Sequence, residues 1–266
     1  MDNVVARNAV STTGVPDGRP IVFVHGFGCD QTMWRFVAPD FEVDHRVVLL
    51  DLVGSGNSDL SAYDAEKYGS LDGHAGDVVE ICRELDLHDV VLVGHSVSAM
   101  IGALATCKAP ELFGALVMVG PNPRYVDDGD YVGGFSRTDI VGLLDALEAN
   151  HLGWSTQMAP VIMGNPDRPA LAQELTNSFC RTDPAIAAHF ARVTFLSDNR
   201  ADLPNVCVPT LVLQCSEDAI APDVVGRYVH EQVPGSVFTQ LRATGHVPHL
   251  SAPEETTAAI RAFLSG

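Results

Sequence analysis

Short, almost unbroken apolar runs alternate with longer segments of helical period, and no other feature of the sequence restricts the fold as strongly. The runs are Ile21 to His25, Val47 to Asp51, Val90 to Gly94 and Leu116 to Val119, followed late in the chain by Thr210 to Cys215 and Val237 to Leu241. Runs of this length without polar alternation belong to strands buried on both faces, as in a parallel sheet. Between them, Leu71 to Leu85 and Val97 to Cys107 carry apolar residues at helical spacing. Strand and helix in alternation predict an α/β fold with a mostly parallel, doubly wound sheet. Ahead of it, Val4 to Val10 and then Thr12 to Gly18, with its turn signal Pro16-Asp17-Gly18, read as a leading strand and turn, an antiparallel edge.

From about Pro123 to about Arg200 the strand signal stops. Helical patterning there, broken at Gly133-Gly134, Gly153, Pro160, Gly164-Asn165-Pro166 and Pro184, reads as a cap inserted between two strands. The expected division is a core over 1–122, a helical cap over 123–200 and the rest of the core over 201–266. A formal charge of -18, with no local cluster of Lys and Arg, argues against nucleic acid as a partner. No apolar run approaches the roughly 20 residues that span a bilayer. The start, Met1-Asp2-Asn3, is acidic without an apolar leader segment, so a cytoplasmic protein is expected. Cys29, Cys82, Cys107, Cys180, Cys207 and Cys215 lack zinc-finger or C-x-x-C spacing and are expected to be free thiols.

The strand Val90 to Gly94 runs directly into Gly94-His95-Ser96-Val97-Ser98 and then a helix. A serine on so tight a strand-to-helix turn lifts its hydroxyl above the sheet edge, the arrangement of a nucleophile elbow. Ser98 stands where glycine is the usual second small residue. A serine hydroxyl needs a base and a group that fixes the tautomer of the base. Asp218, after the strand Thr210 to Cys215, and His246, after Val237 to Leu241, both fall at strand ends, where open α/β sheets place their sites. Glu217 is the local rival to Asp218, and Asp218 also reads as a loop acid ahead of a helix near Pro222. The order Ser, Asp, His is that of α/β-hydrolases and of neither protease order. His25-Gly26-Phe27-Gly28 offers the Phe27 amide as an oxyanion donor beside that of Val97. His95 is expected to face away from Ser96, His249 makes at most a weak metal pair with His246, and Gly54-Ser55-Gly56 reads as a structural turn. Phe135, Leu143, Trp154, Met158, Leu175, Phe190 and Phe195 are enough apolar surface to roof a small pocket, with Phe27, Tyr125, Val193 and Ile220 as further candidates.

Val22 to Gly28, Asp51 to Ser58 and Gly94 to Gly102 together resemble one branch of the α/β-hydrolase superfamily, that of the bacterial stress-response regulator RsbQ and the plant karrikin and strigolactone receptors. Pro121-Asn122-Pro123-Arg124-Tyr125, Phe195-Leu196-Ser197-Asp198 and Ser216 to Pro222 extend the similarity over nearly the whole chain. The resemblance implies a four-helix cap, a triad of Ser96, Asp218 and His246, and a pocket near Phe27, Phe135, Trp154 and Phe195. It also implies slow hydrolysis of butenolide-like or small ester ligands, and in part a receptor role relayed to a protein. Met158 and Leu175 stand where the karrikin receptors would have phenylalanine, which loosens any inherited ligand preference.

Two functions from different classes follow. One is an esterase or lactonase without a cofactor, acting on a small apolar ester or lactone. The other is a ligand-sensing regulator that hydrolyses slowly or once and signals to a protein partner through the cap. A dehalogenase would need aspartate at Ser96, and a cofactor-free haloperoxidase or a lyase would reuse the same three residues.

Overall fold

A computed structural model describes residues 3–266; the acidic start at Met1-Asp2 lies outside the described residues. In chain order the chain forms α1 (Val4–Arg7), β1 (Ser11–Gly14), β2 (Arg19–Val24), β3 (His45–Leu50), α2 (Leu71–Glu84), β4 (Val90–His95), α3 (Val97–Lys108) and β5 (Phe113–Val119). Four helices follow without an intervening strand: α4 (Arg137–Ala149), α5 (His151–Met163), α6 (Pro169–Arg181) and α7 (Pro184–Phe195). The sheet resumes with β6 (Thr210–Glu217), α8 (Asp223–Gln232), β7 (Val237–Thr244), α9 (Pro248–Ser251) and α10 (Pro253–Leu264). Among the described residues, seven strands lie in the order β1-β3-β2-β4-β5-β6-β7, parallel except for β1 against β3.

Alternate residues of each central strand enter different cores, which is why the runs are apolar throughout. Val22, Val24, Val90 and Leu92 join α2 and α3 in one cluster, while Ile21, Phe23, Val91 and Val93 face Trp34, Phe41 and α10 in the other. Both faces are covered, as parallel sheets require. A third cluster joins the four helices to residues of the sheet's C-terminal edge, among them Cys29, Tyr125, Ile220 and Val247. None of the helices among the described residues is long and apolar enough to cross a membrane, and all six cysteines are free.

Three local expectations are corrected. Val4 to Val10 does not form the leading strand. Asn3 accepts from the Val5 and Ala6 amides at 3.1 and 3.2 Å and starts a helical turn, and buried Arg7 anchors it to Asp77 at 2.9 Å; the antiparallel edge begins later, at Ser11. Gly153 and Pro160 do not break the helical layer, because both lie within α5, where the Gly153 amide is bound by the Asn150 cap at 2.9 Å. Pro184 opens α7 instead of interrupting it, behind an Asp183 cap, since a first-turn proline loses no helical bond.

His74 of α2 is fully buried, stacked on Tyr68 at 4.5 Å and edge-on to Phe190 at 5.0 Å, with neither ring nitrogen hydrogen-bonded among the described residues. Burial pushes it down to about 3 against the opposing pull of Asp77, with His25 and Lys67 lowering it further. His249 is likewise pushed down to about 3 by burial, with His246, Arg35 and His25 lowering it further, and His95 lies well below the ordinary value. The unfolded chain takes up these protons near pH 6.5 and the folded chain does not. Stability is therefore full above that pH and declines as pH falls toward 3, by ~1.4 kcal/mol per pH unit for each such histidine. Urea unfolding of His74→Phe at a series of pH values below 6 is expected to show a pH slope shallower by about one proton. An unchanged slope would show that His74 does not resist protonation in the folded protein.

Candidate active site

β4 ends at His95 and α3 begins at Val97, leaving Ser96 alone to turn the chain, at φ 56° and ψ -122°. A residue with a side chain adopts such a conformation only where its surroundings over-determine it. Here the Ser96 amide donates to the Val119 carbonyl at 2.8 Å and its own carbonyl accepts from Ala99 at 2.9 Å. A side chain at Gly94 would meet the Ser98 carbonyl at 2.1 Å, so strand and helix can approach this closely only with glycine there. Ser98 donates through its hydroxyl to the His25 carbonyl and so ties the elbow to the loop after β2.

The structure brings the three residues from separate strand ends into one relay. Ser96 Oγ is 2.8 Å from His246 Nε2, and His246 Nδ1 is 2.7 Å from Asp218 Oδ2. A carboxylate only accepts, so Nδ1 carries the ring proton and Nε2 presents its lone pair to the serine hydroxyl. The second carboxylate oxygen of Asp218 accepts from the Ile220 and Ala221 amides at 2.8 and 3.0 Å. Asp218 thus closes the turn ahead of α8 with one oxygen and orients His246 with the other. Ser96, His246 and Asp218 are 6%, 3% and 8% exposed, which keeps water from competing for these bonds. The Glu217 side chain is exposed, and the residue contributes only its carbonyl, which accepts from the Gly245 amide at 2.6 Å.

The amides of Phe27 and Val97 are committed to no acceptor among the described residues. The loop before Phe27 is held by His25, whose Nε2 accepts from the Leu52 amide at 3.1 Å while its Nδ1–H donates to the Gly26 carbonyl at 2.8 Å. The turn Gly54-Ser55-Gly56 ends with Gly56 against the Asp51 carboxylate, which accepts from the Gln31 and Asn57 amides, both at 2.8 Å. His249 does not pair with His246; it stacks on Trp34 at 4.2 Å. His95 does not face away from the site: its ring stands 4.9 Å from that of His246 and lines the same cavity.

That cavity is small, about 30 Å³, and is bounded chiefly by apolar side chains. Of the pocket residues expected from sequence, Phe27, Tyr125, Trp154, Leu175, Phe195 and Ile220 line it. The other five do not. Leu143 and Met158 line a separate groove between α4 and α5, and Val193 lines a groove beside the start of α2. Phe190 lies behind Phe27 at 5.7 Å, within the core under α2 and α3, and Phe135 packs against the third cluster without reaching the cavity. Cys29, Ile162, Phe179, Thr194 and Val247 line the cavity without having been expected. Phe179 follows Leu175 by one helical turn on the same face of α6, so extending the helical period would have found it. Burial pushes the Tyr125 phenol, beside Ser96, up to about 12, which keeps it a hydrogen-bond donor; burial also raises the Cys29 thiol, which leaves it unreactive.

The loop that carries His246 is fastened to the helical layer as well as to the sheet. The His246 amide donates to the Ile162 carbonyl at 2.8 Å, Asn165 to the Thr244 carbonyl at 3.0 Å, and Arg168 to the Ser251 carbonyl at 2.6 Å. Gly245 passes so near α5 that a Cβ would lie 1.8 Å from the Met163 carbonyl oxygen.

Residues 21–260 match the alpha/beta hydrolase family. The chain is 38% identical over 235 residues to a probable esterase of Oryza sativa subsp. japonica, covering 88% of this chain and 87% of that protein. It is 36% identical over 263 residues to a strigolactone esterase of Arabidopsis thaliana, 98% of each, and 37% identical over 235 residues to a karrikin insensitive 2 receptor of Petunia hybrida, 88% of this chain and 87% of that one. Among solved structures, a hydrolase from Oleispira antarctica superposes with a TM-score of 0.96 at 38% identity, over 100% of this chain and 97% of that one.

Proposed function

The chain belongs to the alpha/beta hydrolase family, and on that premise we propose that Ser96, His246 and Asp218 are the catalytic unit of a serine hydrolase cleaving a small apolar carboxylic ester or lactone, butenolide-like in size. The carrying observation is the relay at 2.8 and 2.7 Å opening into a cavity walled by aromatic and aliphatic side chains.

Ser96 Oγ attacks the carbonyl carbon as His246 Nε2 takes its proton, and the imidazolium is stabilised by Asp218. The carbonyl oxygen becomes an anion, met by the amides of Phe27 and Val97, each such donor contributing on the order of 100- to 1000-fold. Collapse expels the alkoxide, which takes the proton back from His246. Water then attacks the acyl-Ser96 by the same relay and releases the acid. None of these steps calls on a cofactor.

A second reading keeps the chemistry and changes its purpose: a sensor that hydrolyses slowly or once and signals through its helical layer to a protein partner. It is favoured by the receptor names among the relatives. A progress curve with excess p-nitrophenyl acetate separates the two. Steady multiple turnover, absent in Ser96→Ala, is expected for the hydrolase. A burst about equal to the protein concentration followed by arrest identifies the sensor. Release independent of Ser96 overturns both.

A further inference from the structure

We propose that His95, the residue immediately before the nucleophile, is a positioning residue that holds the backbone of the catalytic base in register with Ser96. The proposal rests on the catalytic reading given above. His95 Nε2 lies 2.7 Å from the His246 carbonyl oxygen. A carbonyl only accepts, so the ring is the Nε2–H tautomer and donates. The bond joins residues 151 positions apart and closes a small ring. Ser96 is covalently next to His95, His95 grips the His246 backbone, and the His246 side chain returns to Ser96 at 2.8 Å. The spacing of base and nucleophile is thereby set from the nucleophile's own side, independently of the bond from the His246 amide to Ile162.

The surroundings hold the ring in this role. His95 is 2% exposed, and His249 packs edge-on against it at 4.5 Å. Burial, reinforced by the imidazoles of His249, His246 and His25, keeps it neutral, so one nitrogen donates and the other stays bare. The bare Nδ1 has no hydrogen-bond partner among the described residues. It faces Gly26, where a Cβ would stand 2.6 Å away, so the glycine of the oxyanion loop also makes room for this ring. A buried nitrogen left unsatisfied needs a reason, and the donor at the other end of the same ring supplies one.

The test compares His95→Gln, His95→Asn and His95→Leu in the full chain. A glutamine amide reaches as far as Nε2, an asparagine amide stops at the depth of Nδ1, and leucine has no donor. His95→Gln is expected to keep kcat within about 3-fold, while the Asn and Leu variants lose about 10- to 100-fold in kcat per titrated active site with KM nearly unchanged. The downfield proton signal of the His246 Nδ1–H bonded to Asp218 is expected to stay sharp in wild type and His95→Gln and to broaden in the other two. Wild-type kcat with a sharp signal in His95→Asn and His95→Leu overturns the proposal, as does a Gln variant as impaired as Leu. If the leucine variant fails to fold, Asn against Gln decides. A wild type lacking Ser96-dependent turnover overturns the catalytic reading instead, and the proton signal still tests the positioning role.

Discussion

Ser96→Ala is expected to lower turnover of an activated ester by on the order of a million-fold without disturbing the fold. The serine hydroxyl meets His246 Nε2 in the cavity, while the backbone bonds that hold the elbow, to Val119 and Ala99, do not involve the side chain. Removing it deletes the nucleophile and leaves the turn in place. His246→Ala and the double variant are expected near the same floor, because a base without a nucleophile and a nucleophile without a base are equally idle. Steady-state rates for the two single variants and the double variant check this. A double variant far slower than either single one would show that the two residues do not act as a unit.

Asp218→Asn is expected to cost on the order of 10,000-fold in kcat, more than the loss of one charge would suggest. The reason lies in the two amides that face Asp218 Oδ1. The Ile220 and Ala221 N–H groups, at 2.8 and 3.0 Å, demand an acceptor, so the asparagine oxygen must take that position. Its NH₂ then points at His246 Nδ1, forces the proton onto Nε2, and turns the base into a donor toward Ser96. Rates across pH and the loss of the downfield His246 signal measure the change; activity within tenfold of wild type would show that the tautomer is fixed by some other group.

What could be read from the sequence was what depends on local periodicity. Buried parallel strands write themselves as apolar runs, and Ser96, Asp218 and His246 each stand just past the end of one, so strand ends alone pointed to residues that the folded chain brings within hydrogen-bonding reach. Val4 to Val10 misled because Val4-Val5-Ala6, three β-branched or small residues in a row, look extended, while the deciding contacts, Asn3 at the cap and Arg7 on Asp77, are one local and one distant by 70 positions. Helix packing hid the rest. Phe190 and Phe195 share a helix, yet one lies in the core behind Phe27 and the other faces the cavity, and nothing in their spacing to the sheet says which. The role of His95 was invisible for the same reason: its partner is a backbone carbonyl, and a carbonyl has no letter in the sequence.

The bonds from Ile162, Asn165 and Arg168 to the segment 244–251 bear on how far the chain is modular. By chain order the four helices form an insertion, the kind of segment that invites exchange between relatives. Such a graft would carry away the acceptor of the His246 amide and two further anchors of the same loop. A chimera that swaps the helical layer to change ligand preference therefore inherits an altered base as well, unless the turn after α5 and the stretch from Thr244 to Ser251 travel together as one unit of exchange.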